Sequence, residues 1–240
     1  HKALENANNN DIDANIAIGS YVMDGITSQG VWACVGIGSN AMTGAMTAVS
    51  SGTVGIGYYA LAALTSGAAN TAVGYQSLAG LTTGASNIAI GNNAADAMVG
   101  GESGNIAIGV DAMGLADEDN ESIDNNIAIG TNALKGGDLA STAFDVTNNV
   151  AIGNNAMDGT GTIGALFNVM IGDGAGGGSW STAASNYNVG IGAACMEGAL
   201  NGATGNAALG YNALAGIIEG DFNTGLGHGA GEDIEDGSYN

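Results

Sequence analysis

The chain has 240 residues, of which 44 are Gly and none is Pro, and 23 acidic residues stand against two basic ones, Lys2 and Lys135. The apolar fraction of 45% is too high for a disordered chain, and collagen would need Pro and a three-residue Gly period. So few bases cannot neutralise phosphates, which excludes nucleic acid and an anionic membrane surface as partners. No run of about 18 apolar residues occurs, so membrane insertion is not predicted.

A five-residue unit, Asn-aliphatic-small-aliphatic-Gly, recurs twelve times, and its closing glycines are 17 to 23 residues apart. The units are residues 15–19, 34–38, 53–57, 70–74, 87–91, 105–109, 126–130, 149–153, 168–172, 188–192, 206–210 and 223–227. This period is typical of solenoids. The sequence therefore predicts an all-β, parallel β-solenoid with about one coil per repeat, extending over residues 1–240 as a single repetitive segment.

Each position of the unit has a physical interpretation. The two aliphatic positions alternate with a small one, so they share one face of a short strand. We expect this aliphatic pair to face the interior, and the small residue, such as Ala17 or Gly36, to face outward and allow lateral association with another sheet. The closing Gly supplies a positive-φ corner. The initial Asn, present in ten of the twelve units, predicts a ladder of stacked amides.

A second pair, Ala followed by Leu or Met, comes three and four positions after many of the glycines. Examples are Ala41-Met42, Ala60-Leu61 and Ala213-Leu214. We interpret this pair as the next wall of the same coil, turned inward, with Met acting as a filler of gaps in the core.

The polar residues lie between these units, and none of the 23 acids falls within one. This placement is typical of loops that emerge from a repeated coil. The two longest insertions precede Asn126 and Asn149 and are candidate contact surfaces. The stretches Asp117–Asp124 and Glu232–Asp236 can be read as solvated loops or as weak Ca²⁺ sites, since neither has the spacing of an EF-hand loop.

Both ends of the sequence fall inside a repeat. Asn240 is in phase to begin a further strand, and Ala3-Leu4 matches the Ala-Leu pair that follows a Gly. Because a bare coil edge is an open template for pairing, we expect the chain to be part of a longer fibre.

The units Asn87–Gly91 and Asn105–Gly109, and the run Asn70–Leu78, resemble the head repeats of trimeric autotransporter adhesins and, more closely, related repeats of bacteriophage tail fibres. The resemblance covers nearly the whole chain, from Ala3 to Asn240. It implies a left-handed β-roll, a homotrimer with three chains side by side, attachment to a cell-surface glycan or receptor, and an extracellular or virion location. The spacings are longer and less regular than in adhesin heads, which favours the fibre-type relative.

The remaining candidates for chemistry are few. Cys34 and Cys195 replace repeat residues eight coils apart, about 38 Å at strand spacing. That distance excludes an intrachain disulfide and leaves core packing or an interchain bridge. The run Gly172–Gly177 fits a dinucleotide-binding pattern, but a glycine-rich repeat produces such matches without a βαβ unit. His228 falls at a variable surface position, and two His give little basis for acid–base catalysis.

Aromatic residues are scarce but placed in register. Tyr58 and Tyr75 occupy the same position in consecutive coils, so we expect their rings to stack outside. With Trp32 and Trp180 they are alternatively candidate sugar-binding platforms.

The sequence thus predicts a structural and adhesive fibre segment, most closely a phage tail fibre, without catalytic, cofactor-binding or metal-binding residues. A bacterial adhesin head or a polymeric extracellular filament is the alternative of the same class. A β-helix enzyme acting on polysaccharides needs convergent acids and bases, which the missing Arg and scarce Lys disfavour. Ice binding needs regular ranks of Thr, which the outward positions lack.

Overall fold

The structure is a computed structural model that describes residues 14–26, 30–114, 122–136, 145–160, 164–180 and 183–240. The chain forms two compact units, His1–Asp111 and Ala112–Asn240. Within the described residues both units are built from short parallel strands and turns, and the one helical element is a 3₁₀ turn at Ala48–Ser50. None of the described residues forms a helix with the length and apolarity that spanning a bilayer requires.

The first unit contains one parallel sheet in which each strand comes from one repeat. Its strands follow one another in sequence order. They are β1 (Ile16–Ile18), β2 (Val35–Ile37), β3 (Val54–Ile56), β4 (Thr71–Val73), β5 (Ile88–Ile90) and β6 (Ile106–Ile108).

The second unit contains two parallel sheets. Its main sheet continues the five-residue repeats in the order β8-β10-β12-β14-β15-β16, and a smaller sheet has the order β13-β11-β9-β7. The strands are β7 (Ile123–Asp124), β8 (Ile127–Ile129), β9 (Val146–Thr147), β10 (Val150–Ile152), β11 (Ala165–Leu166), β12 (Val169–Ile171), β13 (Ser185–Asn186), β14 (Val189–Ile191), β15 (Ala207–Leu209) and β16 (Thr224–Leu226).

Strand register follows the repeat position by position. In the β1–β2 pair, Ala17 lies opposite Gly36 and Ile18 opposite Ile37, and the same slots meet in the β14–β15 pair. Consecutive main-sheet strands are parallel and separated by one repeat, so each repeat is one coil. The predicted all-β, parallel β-solenoid is confirmed.

The glycine that closes each unit is a corner of the coil. All twelve have positive φ, between 117° and 148°, as predicted. At Gly19 an added Cβ would lie 2.8 Å from the carbonyl oxygen of Gly38 in the next coil, and at Gly210 it would lie 2.5 Å from that of Gly227. Contacts this short exclude a side chain, so close stacking of coils and the backbone angle both require Gly.

The interior of many coils is lined by the Ala-Leu/Met pair, as predicted. Ala41, Met42, Ala60 and Leu61 have no exposed surface, and neither do Ala133, Leu134, Ala156 and Met157. The Leu or Met adopts a positive φ of about 50° in every such coil, for example 56° at Met42 and 50° at Leu134. This left-handed backbone costs about 1–3 kcal/mol per residue, and the buried side chain compensates for it.

The predicted facing of the strands was wrong. The small middle residue points into the coil, and the aliphatic pair points out: Ala72, Ala89 and Ala151 are fully buried, whereas Ile88 and Ile90 are exposed. The reason is that the interior of the coil has little room for side chains from this strand. The facing wall already fills the interior with Leu or Met, and a Cβ at Gly55 would lie 2.7 Å from the Met42 Cγ. Lateral association through the Ala/Gly face is therefore excluded, because that face is the core.

The smaller sheet was not predicted. Its strands precede the Asn of the same coil by two residues and bury one side chain each: Ile123, Val146, Ala165 and Ser185. The two long insertions supply its first strands, β7 and β9. Most of both insertions, at residues 115–121 and 137–144, lies outside the described residues, as do His1, Lys2 and Ala3-Leu4.

Candidate interaction surfaces

The outward positions of the main-sheet strands form an apolar, uncharged surface, here called the aliphatic face. In each unit it comprises the first and third residue of each three-residue strand of the main sheet, and all of these are Ile, Val, Leu, Ala or Thr. Ile18 is 58% exposed, Leu209 51% and Leu226 73%. Extended apolar patches of this kind on a protein surface mark interaction sites.

In the second unit the aliphatic face has a hollow over strands β14 to β16. It has a volume of about 270 Å³ and is lined only by strand residues, among them Val189, Ile191, Leu209 and Leu226. It exists because Ala207 occupies a position held by Ile or Val in most coils. The hollow therefore results from a smaller side chain at this position, and a protruding side chain of a partner can fill it.

A ladder of asparagine side chains runs along the buried edge of the strands, as predicted. Each Oδ1 accepts from the backbone N–H of the next Asn at 2.9–3.1 Å and from its Nδ2 at 2.9–3.2 Å. The members are Asn70, Asn87 and Asn105 in the first unit, and Asn126, Asn149, Asn168, Asn188, Asn206, Asn223 and Asn240 in the second. Because these groups, except Asn240, are buried and all of them are bonded to a neighbour in the ladder, the ladder stabilises the fold and offers no site to a ligand.

Aromatic side chains stack on the outside, again in register. The Tyr58 and Tyr75 ring centroids are 5.5 Å apart with planes 15° from parallel, which confirms the predicted stacking. Sequence reasoning missed a second set at the residue before the ladder Asn. There Phe167 stacks on Tyr187 at 5.3 Å, and Phe222 on Tyr239 at 5.2 Å.

The two tryptophans differ in accessibility. Trp32 is 58% exposed, but Trp180 has no exposed surface, and its Nε1 donates to the Gly176 carbonyl at 3.2 Å. The proposal that Trp180 offers a sugar platform is therefore wrong. The indole lies in the core of that coil instead.

The cysteines are both buried and free. Burial raises the pKa of the Cys195 thiol to about 11. Burial also raises the pKa of Cys34, although backbone hydrogen bonds oppose the shift. Thiols that stay protonated and buried are poor nucleophiles, so their role in the described structure is packing.

Acidic residues occupy the outer turns. Among the described residues no group of three or more His, Cys, Asp or Glu side chains is arranged to hold a metal ion. Asp117–Asp124 lies largely outside the described residues, and the acids of Glu232–Asp236 are exposed. One acid departs from the pattern: Glu102 is 3% exposed, and its carboxylate accepts from the Gly100 N–H at 2.9 and 3.1 Å.

Two motifs noted in the sequence have structural roles. Residues Gly172 to Gly177 form a corner and the turn after it, with φ of 144° at Gly172 and 65° at Gly174, and no helix follows within the described residues. His228 is exposed, and its ring lies 5.2 Å from the Tyr211 ring.

Comparison with family models, with curated proteins and with solved structures found no match to this chain.

Proposed function

We propose that this chain is a structural and adhesive segment of an extracellular fibre, in which copies of the chain associate side by side through the aliphatic face. The observation that carries the proposal is that face itself: apolar, uncharged and repeated in the coils of each unit. An exposed Ile or Val costs free energy, and burying it contributes about 25 cal/mol per Å² of apolar surface.

The partner best matched to this face is a further copy of the chain. Successive coils are spaced by about 4.8 Å, the separation of neighbouring strands. Only a surface with the same spacing can interdigitate with the face over several coils, and a second copy has it. The face also carries none of the acids that give the chain a formal charge of −21, so copies can meet there with the least repulsion.

The resemblance to tail-fibre and adhesin-head repeats favours three copies. It also favours attachment to a cell-surface glycan or receptor, from a virion or from a cell. We propose no catalytic role, because the chain has two basic side chains and two His, too few for the convergent acids and bases that polysaccharide cleavage needs.

Sedimentation of the purified chain tests the assembly. We expect a species of three times the 23.2 kDa chain mass. Ile191→Asp places a charge in the aliphatic face, where Ile191 is 39% exposed, and is expected to give monomers. Thr131→Asp adds the same charge at an exposed corner position, where Asp173 occurs naturally in another coil, and is expected to leave the assembly intact.

A monomeric wild-type chain at micromolar concentration would refute the assembly, and so would an Ile191→Asp variant that remains trimeric. The same samples, labelled with a fluorophore at an introduced surface cysteine, test attachment on a panel of bacterial cells. Binding by the wild-type assembly and not by monomers supports adhesion, and the lack of binding to any cell in the panel counts against it.

A further inference from the structure

Three tyrosines, here called the tyrosine cluster, meet on the outer turns of two neighbouring coils in the first unit: Tyr58, Tyr59 and Tyr75. The Tyr58 ring stacks on the Tyr75 ring at 5.5 Å, and the Tyr59 ring lies against it at 4.5 Å with the planes 69° apart. The three side chains are between 37% and 48% exposed. The cluster is therefore open to a reagent in solution.

The backbone holds the stacked pair in register. The Gln76 N–H donates to the Tyr58 carbonyl at 2.9 Å, and the strands that precede the two tyrosines, β3 and β4, pair in parallel. Two reactive groups that are fixed side by side react far faster than the same groups on separate molecules. The fold therefore presents Tyr58 and Tyr75 as a preformed pair of phenols.

The state of the pair favours a reaction between phenols over the binding of a sugar. Sugars pack on ring faces, and the facing sides of the Tyr58 and Tyr75 rings cover one another. Burial raises the pKa of Tyr58, and its neighbours Tyr59 and Tyr75 raise it further, so the Tyr58 phenol is uncharged at neutral pH. No charge at Tyr58 therefore keeps the two rings apart, and exposed side chains can turn between rotamers within about nanoseconds.

We propose that Tyr58 and Tyr75 form a site of oxidative modification, at which a peroxidase acting with hydrogen peroxide joins the two rings into dityrosine. Each phenol loses one electron and one proton and becomes a phenoxyl radical, whose unpaired electron is shared with the Cε carbons. The two radicals form one Cε–Cε bond, and each coupled carbon then passes its hydrogen, as a proton, to the ring oxygen. The two electrons and two protons released reduce hydrogen peroxide to two waters.

The product is a covalent bridge between the coils of β3 and β4. A covalent bridge stabilises a fold mainly by restricting the unfolded chain, so the bridged chain is expected to melt at a higher temperature. The modification goes beyond the proposed function, since it needs one chain only and uses no residue of the aliphatic face.

The chain contains matched pairs that lack the second phenol. Tyr187 stacks on Phe167 at 5.3 Å and Tyr239 on Phe222 at 5.2 Å, so these stacks cannot form dityrosine within themselves. They also show that Phe is compatible with such a stack. The variants Tyr58→Phe, Tyr59→Phe and Tyr75→Phe are therefore expected to fold and melt like the wild type before treatment.

Treatment of the dilute, purified chain with a peroxidase and hydrogen peroxide tests the site. A protease that cleaves after acidic residues then releases residues 25–96 from the denatured product as one peptide, because no acid lies between Asp24 and Asp96. This peptide contains the tyrosine cluster and no other tyrosine. We expect it to lose two hydrogen atoms and to show dityrosine fluorescence, in a product that has the mass of a single chain under denaturing conditions.

Tyr58→Phe and Tyr75→Phe are each expected to reduce the yield of this bridged peptide about tenfold or more, whereas Tyr59→Phe is expected to leave the yield unchanged. After treatment, the melting temperature is expected to rise in the wild type and in Tyr59→Phe, but not in the other two variants.

An unmodified peptide 25–96 from the treated wild type overturns the proposal. An undiminished yield in Tyr75→Phe does so as well, because it assigns the bond to Tyr58 and Tyr59. Coupling that appears only as covalent dimers, in proportion to protein concentration, overturns the bridge within one chain. An unchanged melting temperature of the bridged wild type overturns its role in holding the coils together.

Discussion

At the scale of single residues, two positions of one coil have exchanged a large and a small side chain, so the interior of that coil stays filled. Met170 occupies the middle slot of β12, where other coils have Ala or Gly, and Gly176 occupies the slot where many coils have Leu or Met. A Cβ at Gly176 would lie 3.0 Å from the Met170 Cγ and 3.1 Å from its Sδ. The Met side chain therefore enters the coil from the opposite wall and takes the volume that Leu or Met fills elsewhere.

This exchange predicts a strong coupling between the two positions. Met170→Ala leaves a cavity and is expected to reduce the free energy of unfolding by about 2–4 kcal/mol. Gly176→Leu alone is expected to overpack the coil at a cost of about 1–3 kcal/mol. The double variant restores the common arrangement, and Leu is compatible with the Gly176 φ of 61°, since Leu134 adopts 50°.

Chemical denaturation of the four proteins measures the coupling as a double-mutant cycle. We expect the double variant to lie within about 1 kcal/mol of the wild type. Additive losses in the double variant would show that the two side chains do not share one space.

The same residue scale shows what the sequence could reveal. The Gly corners were predictable because the backbone angle at each corner favours Gly. The buried Ala-Leu/Met pairs were predictable because the same two positions after the corner carry these apolar residues in many coils. The facing of Ile88 and Ala89 was not, since alternation distinguishes two faces without saying which one is buried. The assumption that bulky aliphatic residues face inward fails in a coil too thin for two bulky walls. Which face is buried can be inferred only by comparing, in each coil, the side-chain volumes at the middle strand position and at the Leu/Met position, as at Met170 and Gly176.

At the scale of elements, the asparagine ladder joins strands that are only three residues long. Asn168 is fully buried. Its Nδ2 donates to Asn149 Oδ1 and to the Ser185 carbonyl, and its Oδ1 accepts from the N–H and Nδ2 of Asn188. Strands this short have few backbone hydrogen bonds each, so the side-chain ladder is a large share of their pairing.

Asn168→Ala is therefore expected to reduce the free energy of unfolding by about 3 kcal/mol, because it leaves buried partners in two neighbouring coils unsatisfied. Asn92→Ala removes an exposed amide and is expected to cost less than about 0.5 kcal/mol. Denaturant unfolding of both variants provides the measurement, and similar losses would show that the ladder has no special role.

Ladder and sheets were predictable to different degrees. The phase of Asn70, Asn87 and Asn105 in the sequence was sufficient to predict their stacking. The strands at Ile123–Asp124 and Val146–Thr147 were not predictable, because they are two residues long and their sequences share no residue type.

At the scale of the whole molecule, the balance of 23 acids against two bases sets the response to salt. All the described acids except Asp124 lie outside the strands, and Glu232, Asp233, Glu235 and Asp236 are exposed. Repulsion between like charges opposes the compact state, and the Debye length falls from about 30 Å at 0.01 M to about 8 Å at 0.15 M salt. The melting temperature is therefore expected to rise between these two NaCl concentrations.

The comparison must be made at one protein concentration, because the proposed association of the chains would itself shift the melting temperature. The triple variant Asp233→Asn, Glu235→Gln and Asp236→Asn removes three neighbouring charges without changing the apolar core. It is expected to melt higher than the wild type at 0.01 M salt and to show a smaller rise. Equal melting temperatures at both salt concentrations would mean that the exposed acids lie too far apart to repel one another, and that the charge of the chain does not limit its stability.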